Sequence, residues 1–438
     1  MSIEGSRLDP WIDSYAGRAR TLSASAIRAL FAVASRPEVV SLAGGMPYVQ
    51  ALSMDQMADI AAKVIRDRGA QALQYGSGQG DVRLREQILE VTAEVGVHAH
   101  PDDIIVTTGS QMALDLVTRT FCDPGDVVLV ESPSYVGALG VFRAYECDVV
   151  HVAMDDDGLI PSALQETIDS VRVAGKRIKL IYTIPSFHNP AGVTQSPERR
   201  REILRIGQEA GIAILEDDPY GLLGFEGEPP RALRADDEEG VIYLGSFSKT
   251  IASGLRVGWA IAPHGVREKL VLAAEAATLC PSNYAQLTVS EYLATQPWRE
   301  QIKSFQEVYR ERRDALLESL QAMMPEGTRW TIPAGGFYSW VTLPDGLDAT
   351  AMLPRAIAEL VAYVPGTGFF VDGQGSANMR LSYCYPDPDR IREGVRRLST
   401  VVETELDIAR TFGTASANSP TASTPLAGES ATPSPDLA

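Results

Sequence analysis

The 438-residue chain holds no uninterrupted apolar run approaching the roughly 20 residues that a membrane span requires. Its opening, MSIEGSRLDPWIDSYAGRAR, lacks the apolar core of a signal peptide, so a cytoplasmic location is expected. Basic charge is short: 39 Lys and Arg stand against 57 Asp and Glu, a formal net charge of −18, and no basic run offsets it. Such a surface repels nucleic acid and anionic membranes, so neither is expected as a partner. Cysteine is scarce too. Cys122, Cys147, Cys280 and Cys384 are far apart in sequence with no metal-type or redox-type spacing, and buried reduced thiols are expected. Among five histidines, His98 and His100 stand close together before Pro101. No cysteine or carboxylate pattern completes a metal site there, so a solvated turn and no bound metal are expected.

What is present is ordinary for a soluble globular protein: 45% hydrophobic and 22% charged residues. The length points to two domains rather than one core. The last stretch, 413–438, is Ser, Thr, Pro and Ala with almost no large apolar group. It cannot bury enough surface to offset its ordering entropy, and a disordered tail is expected.

Through the middle, apolar strand-like runs alternate with helical patterns. DIIVTTGS (103–110), VVLVESPSY (127–135), IKLIYTIPS (178–186), GIAILEDDPY (211–220) and VIYLGSFSK (241–249) are the strands. Continuous Val/Ile/Leu strands separated by helices predict an α/β fold with a parallel sheet covered on both faces. Ligands bind at the carboxyl ends of such strands. There the polar residues gather: Gly109-Ser110-Gln111, Ser134-Tyr135, Asn189-Pro190, Asp217 with Tyr220, and Ser246 to Lys249. After about Pro281 a long charged helical pattern leads into short strands, TRWTIPAGGFYSWVTL and NMRLSYCY, which suggests a smaller α+β domain. No internal repeat is found.

The polar strand ends carry chemistry when taken together. Ser110 opens a helix, where free N–H groups and the dipole cradle anions, although a plain N-cap serine has the same appearance. Ser246, Ser248 and Arg256 could bind the same anion, since a guanidinium meets phosphate with two parallel hydrogen bonds; a surface arginine is the alternative. Asp217, ending an apolar strand, needs a cationic or donor partner, and a protonated ring nitrogen would serve; Asp218 is the competing position. Asn189, before a proline, can donate to a phenolic oxygen or simply build a turn. Lys249, near other cations and partly desolvated, would have a lowered pKa and could condense with an aldehyde. Phosphate anchor, ring-nitrogen carboxylate, phenol donor and reactive lysine together describe a pyridoxal 5′-phosphate (PLP) site.

At this point the chain resembles the fold type I PLP-dependent aminotransferases of class I, and within them the 2-aminoadipate and kynurenine branch. The likeness runs from about residue 18 to 410. It is carried by SLAGGMP (41–47), LQYGSGQGDVRLREQI (73–88), TTGSQMALDL (107–116), ESPSYVGAL (131–139), PSFHNPAG (185–192), EDDPYGLL (216–223), GSFSKTIASGLRVGW (245–259), PAGGFYSW (333–340), VPGTGFF (364–370) and MRLSYCY (379–385). The resemblance implies a large domain with a mainly parallel seven-stranded sheet and a smaller α+β domain. It implies an N-terminal arm over 1–45 that contributes to the small domain and substrate site, a PLP-binding domain over 46–285 and a small domain over 286–412. Lys249 would bind the cofactor and then move a proton between the substrate α-carbon and the cofactor. Asp217 would pair with the ring nitrogen, Asn189 and Tyr220 would contact the ring oxygen, and Tyr135 would stack on the ring. Ser110, Gln111, Ser246, Ser248 and Arg256 would hold the phosphate. Tyr75 would reach the phosphate of a neighbouring subunit, which implies a homodimer. Arg380 would clamp the substrate carboxylate, with Gly45 and Asn189 beside it and Arg28 near the substrate side chain; taken alone, Arg380 and Arg28 read as solvated arginines. The local departure is His188 and Ala191 in PSFHNPAG, which bears on substrate preference.

The implied reaction is amino-group transfer from an L-amino acid to a 2-oxo acid, with 2-oxoglutarate the expected acceptor, by ping-pong kinetics. Candidate donors are 2-aminoadipate, aromatic and branched-chain amino acids and kynurenine. A PLP-dependent lyase or decarboxylase would use an overlapping site. A PLP-sensing transcription regulator would need a DNA-binding domain ahead of the fold, and motifs that begin by about residue 41 leave no room for one.

Overall fold

The computed structural model of the chain describes residues 11–20 and 36–412. Arg28, most of the N-terminal arm and the tail 413–438 lie outside the described residues.

The centre is a sheet in the order Ile104–Thr107, Gly258–Ile261, Val241–Ser246, Ala213–Asp217, Ile178–Thr183, Val127–Ser132, Asp148–Asp155, extended at one edge by the two-residue strand Gly158–Leu159. Within the seven longer strands only Gly258–Ile261 runs antiparallel to its neighbours. The inner strands are rich in Val, Ile and Leu because both faces are covered, and they are buried along nearly their whole length. On one face pack the helices Ser110–Phe121, Val136–Ala144 and His264–Thr278; on the other, Pro161–Val173 and Pro197–Ala210. Local chemistry sets the helix ends. Ser196 accepts a hydrogen bond from the Arg199 N–H, Pro197 takes the first helical position, and Gly211 closes the helix at φ 64°.

Two of the central strands carry weak sequence signals. Asp148–Asp155 is half exposed along an edge and contains Asp and His, so it lacks a continuous apolar run. Gly258–Ile261 has four residues and begins at a glycine.

A second sheet pairs Arg329–Trp330, Tyr338–Thr342, Asn378–Ser382 and Val364–Pro365, all antiparallel. The long helices Trp298–Met323 and Pro388–Phe412 pack on it and on each other. The segment Val40–Ser41 pairs with Val361–Ala362, and 42–46 then runs along the end of the second sheet toward the central one. It is the wall between the two units.

One expectation about cysteine needs correction. Only Cys122 and Cys384 are buried, whereas Cys147 and Cys280 are half-buried. Cys122 and Cys147, remote in sequence, come close together, because the strand entered after Cys147 lies beside the one entered after Cys122. His100 caps the turn Pro101–Asp103 with its ring Nδ1. Among the described residues no helix is long and apolar enough to cross a membrane.

Candidate active site

The carboxyl ends of the central strands open into a cleft of about 690 Å³. Its lining includes Gly45, Ser110, Gln111, Tyr135, Asn189, Asp217, Tyr220, Lys249, Tyr338 and Arg380. The parallel register places these strand ends at one level, and the segment 42–46 and the second sheet bring Gly45, Tyr338 and Arg380 over them.

Lys249 follows the strand Val241–Ser246 in a short π-helical turn, Ser248–Ala252. Its Nζ donates to the Gly45 carbonyl at 2.8 Å and stands 5.5 Å from the Phe337 ring. Burial lowers its pKa to about 8; Arg380 and Arg256 push the same way, and Cys384 opposes them. The amine is therefore a usable base near neutral pH rather than a permanent cation.

Asp217 ends its strand inside the cleft. Its Oδ2 accepts from the Tyr182 hydroxyl at 2.8 Å, while Oδ1 is buried without a hydrogen-bond partner. Burial raises its pKa to about 6. An orphaned buried carboxylate oxygen asks for a donor, ideally a cationic one. Asp218 points elsewhere: it accepts from the Tyr243 hydroxyl at 2.9 Å and lines a separate small hollow. Geometry thus separates two carboxylates that composition leaves equivalent.

An anion cradle lies at the opening of the helix Ser110–Phe121. Gly109 adopts φ 80°, and Arg256, itself at φ 53°, is packed so tightly that a Cβ on Gly109 would meet its Nη2 at 2.3 Å. A Cβ on Gly258 would fall 2.5 Å from the Ser110 backbone nitrogen. Both glycines are required for this approach. Arg256 donates to Ser248 Oγ at 3.4 Å, and Ser248 takes a hydrogen bond from Ser246 Oγ at 2.9 Å. Helix N–H groups, a guanidinium and two hydroxyls therefore converge.

Arg380 is buried at the other end. It donates to Asn189 Oδ1 at 2.9 Å and to the Ala43 carbonyl at 2.8 Å, and its guanidinium lies 4.1 Å from the Tyr338 ring centroid. Its Nε has no hydrogen-bond partner. With Oδ1 of Asn189 engaged, the amide nitrogen is left to donate into the cleft. Tyr135, at the start of the helix Val136–Ala144, donates to Gln111 Oε1 at 3.2 Å, and burial pushes its hydroxyl up to about 12. Tyr220 meets Tyr338 edge-on, with centroids 6.1 Å apart.

The cleft does not collect every residue singled out in the sequence. Tyr75 is 76% exposed and lines a different hollow with Leu73, Cys280 and Pro281. Arg28 lies outside the described residues. Conversely, Tyr338 and Glu131 escaped the sequence reading. Tyr338 lies in a quoted motif, but nothing in PAGGFYSW says which face it takes. Glu131 ends a buried strand and gathers Thr183 Oγ1, the Ile184 N–H, Gln195 Nε2 and His188, the last at 3.1 Å. Burial pushes its pKa up, but His188 and the donors outweigh this and hold it below the usual range. A carboxylate at a strand end was the available signal.

The residues fit PLP: an orphaned carboxylate oxygen for a ring nitrogen, a cradle for a phosphate, an activated lysine between them and an arginine for a carboxylate. The comparisons agree. The model of the family "Aminotransferase class I and II" matches residues 37–398. The chain is 40% identical to aromatic-amino-acid aminotransferase 1 of Thermococcus litoralis over 90% of this chain and 94% of that one. It is 38% identical to 2-aminoadipate transaminase of Thermus thermophilus, over 90% and 97%. The crystal structure of Pyrococcus horikoshii kynurenine aminotransferase, in complex with PMP, superposes with a TM-score of 0.86 at 38% identity, covering 90% of this chain and 97% of that one. The chain belongs to the class I and II aminotransferases. It is a PLP-dependent enzyme that moves amino groups.

Proposed function

We propose that this enzyme takes the amino group of a large L-amino acid, with aromatic residues, 2-aminoadipate and kynurenine as the first donors and branched-chain amino acids after them, and passes it to a 2-oxo acid, 2-oxoglutarate foremost. The observation that carries the reading is Lys249, with its pKa lowered to about 8, in one cleft with Asp217 and Arg380.

Bound PLP supplies an electron sink for the bond that breaks at the substrate α-carbon. The protein does the rest. Asp217 Oδ1 would keep the ring nitrogen protonated. Asn189 Nδ2 and Tyr220 would contact the ring oxygen, and Tyr135 would stack on the ring. Ser110, Gln111, Ser246, Ser248 and Arg256 would hold the phosphate. Arg380 grips the substrate α-carboxylate, its plane fixed by Tyr338 and its two Nη groups already oriented by Asn189 and Ala43. Gly45 lets the Tyr338 ring close on the wall of the cleft, since a Cβ there would lie 1.9 Å from the Tyr338 hydroxyl. Lys249 Nζ would take the proton from the substrate α-carbon and carry it within the cleft. The apolar wall of Met46, Val136, Val141, Ala144 and Ile184 suits a large side chain.

The active unit is a homodimer in the cytoplasm, with Tyr75 from each chain completing the partner's phosphate site. The exposed Tyr75 supports this, because such a ring gains from being covered. An arm over 1–45, a PLP-binding domain over 46–285 and a small domain over 286–412 divide the work, with substrate held between them. Initial-rate kinetics tests the reaction: double-reciprocal lines for donor and acceptor should run parallel, and intersecting lines would contradict it.

A further inference from the structure

Behind the segment 39–46, on the face turned away from Lys249, lies a second cavity of about 520 Å³. Arg36, Arg312 and Arg390 line it together with one acid, Asp387, and the apolar surfaces of Val39, Val40, Met46, Tyr48, Tyr385 and Pro386. Arg312 is the unusual member. It is 4% exposed, as is Arg380. Among the described residues it has one hydrogen-bond acceptor, the Cys384 carbonyl, and no carboxylate partner. Its guanidinium stacks 4.0 Å from the Tyr48 ring centroid. Arg380 is built alike: carbonyl-type acceptors, an aromatic ring 4.1 Å away, no carboxylate, and a cleft in front. Arg200, equally buried, shows the contrast. It spends its donors on the Gln195, Arg231 and Pro185 carbonyls and Ser186 Oγ.

A buried guanidinium has five donors to satisfy and a charge to pair. Arg312 satisfies one donor and faces a cavity. Asp387 does not neutralise it, because its carboxylate caps the helix Pro388–Phe412 through the Arg390 N–H at 2.9 Å.

We propose that this cavity is a second binding site, for a small organic carboxylate: the anionic end bidentate on Arg312, Arg36 and Arg390 adding positive potential at the mouth, and an apolar body against Tyr48, Val40 and Met46. Met46 borders both cavities, and its neighbours Gly44 and Gly45 face one each. Occupancy therefore stiffens the wall against which the donor lies and changes the donor's KM.

Calorimetric titration of the holoenzyme with phenylacetate tests this. Two classes of site per chain are expected, one lost in Arg380→Gln and the other weakened about tenfold or more in Arg312→Gln, since the bidentate contact is removed. Arg312→Lys keeps the charge and stem if the glutamine variant fails to fold, and should still weaken the second class because the fork is lost. Arg36→Gln, on the exposed rim, should weaken it by a smaller factor. A single class of site that disappears with Arg380→Gln would overturn the proposal, as would an affinity unchanged in the Arg312 and Arg36 variants. The Arg312 arm reads independently of the role given to Arg380.

Discussion

Single residues carry the chemistry, and their environments make sharp expectations. Lys249→Ala should abolish turnover, by at least about 10³-fold, because among the described residues no other amine lines the cleft. The melting temperature should change little, since the side chain contributes little to core packing. Retained turnover would refute the proton-carrier role. Asp217 makes a second expectation, about pH. Its folded pKa is raised from 3.8 to about 6 by burial. A raised carboxyl favours the folded state below its unfolded value, and that contribution is lost as pH rises through the folded one. Cofactor-free protein should therefore lose up to about 3 kcal/mol from this group between pH 4 and 6. Denaturant unfolding at several pH values checks it: Asp217→Asn should show a flatter decline than the native chain. Identical slopes would mean that the orphaned oxygen finds a partner in solution.

Elements position these residues, and here close backbone approach matters more than side-chain chemistry. Gly258 lies where a Cβ would stand 2.5 Å from the Ser110 nitrogen, a backbone atom that cannot swing aside. Gly258→Ala should push the strand Gly258–Ile261 off the helix Ser110–Phe121 and open the phosphate cradle. Cofactor retention during dialysis should fall about tenfold or more while the far-ultraviolet circular dichroism stays native; undiminished retention would place the phosphate elsewhere. Glu131 holds another junction. Removing its carboxylate in Glu131→Ala takes the acceptor from three buried donors and the counter-charge from His188, at a cost of about 3 kcal/mol or more, which thermal melts would reveal. At this scale the sequence was legible where burial is uniform. The five apolar runs are strands because Val, Ile and Leu are buried on both faces. The edge strand Asp148–Asp155 and the short antiparallel Gly258–Ile261 were not legible, since neither has the run that announces a buried strand. Among site residues, strand-end polars such as Asp217 and Lys249 stood out against apolar runs. Tyr338 and Arg312 did not, because their meaning depends on which face of a strand or helix meets a cavity, and that is set by the tertiary packing.

The whole molecule adds what one chain cannot. Tyr75 is exposed and lines a hollow other than the cleft, so the phosphate role proposed for it would require a second copy. Mixing tests this. Chains carrying Lys249→Ala and chains carrying Tyr75→Ala, refolded together, should form mixed dimers with one fully native site each. Activity should reappear well above the sum of the two parents. No recovery, in a mixture shown to be dimeric, would mean that Tyr75 serves no partner. The net charge of −18 has its place at this scale too: it keeps the surface from nucleic acid, while Lys249 and Arg380 line the cleft, where positive charge meets an anionic cofactor and substrate.

The most direct measurement is a spectral titration of the holoenzyme. L-phenylalanine, L-2-aminoadipate, L-kynurenine and L-leucine are added in turn while the visible band of the cofactor is followed. The expected result is that one or more donors bleach the band and that 2-oxoglutarate restores it without release of ammonia or carbon dioxide. A band that no donor converts, or conversion accompanied by either gas without an acceptor, would contradict the account.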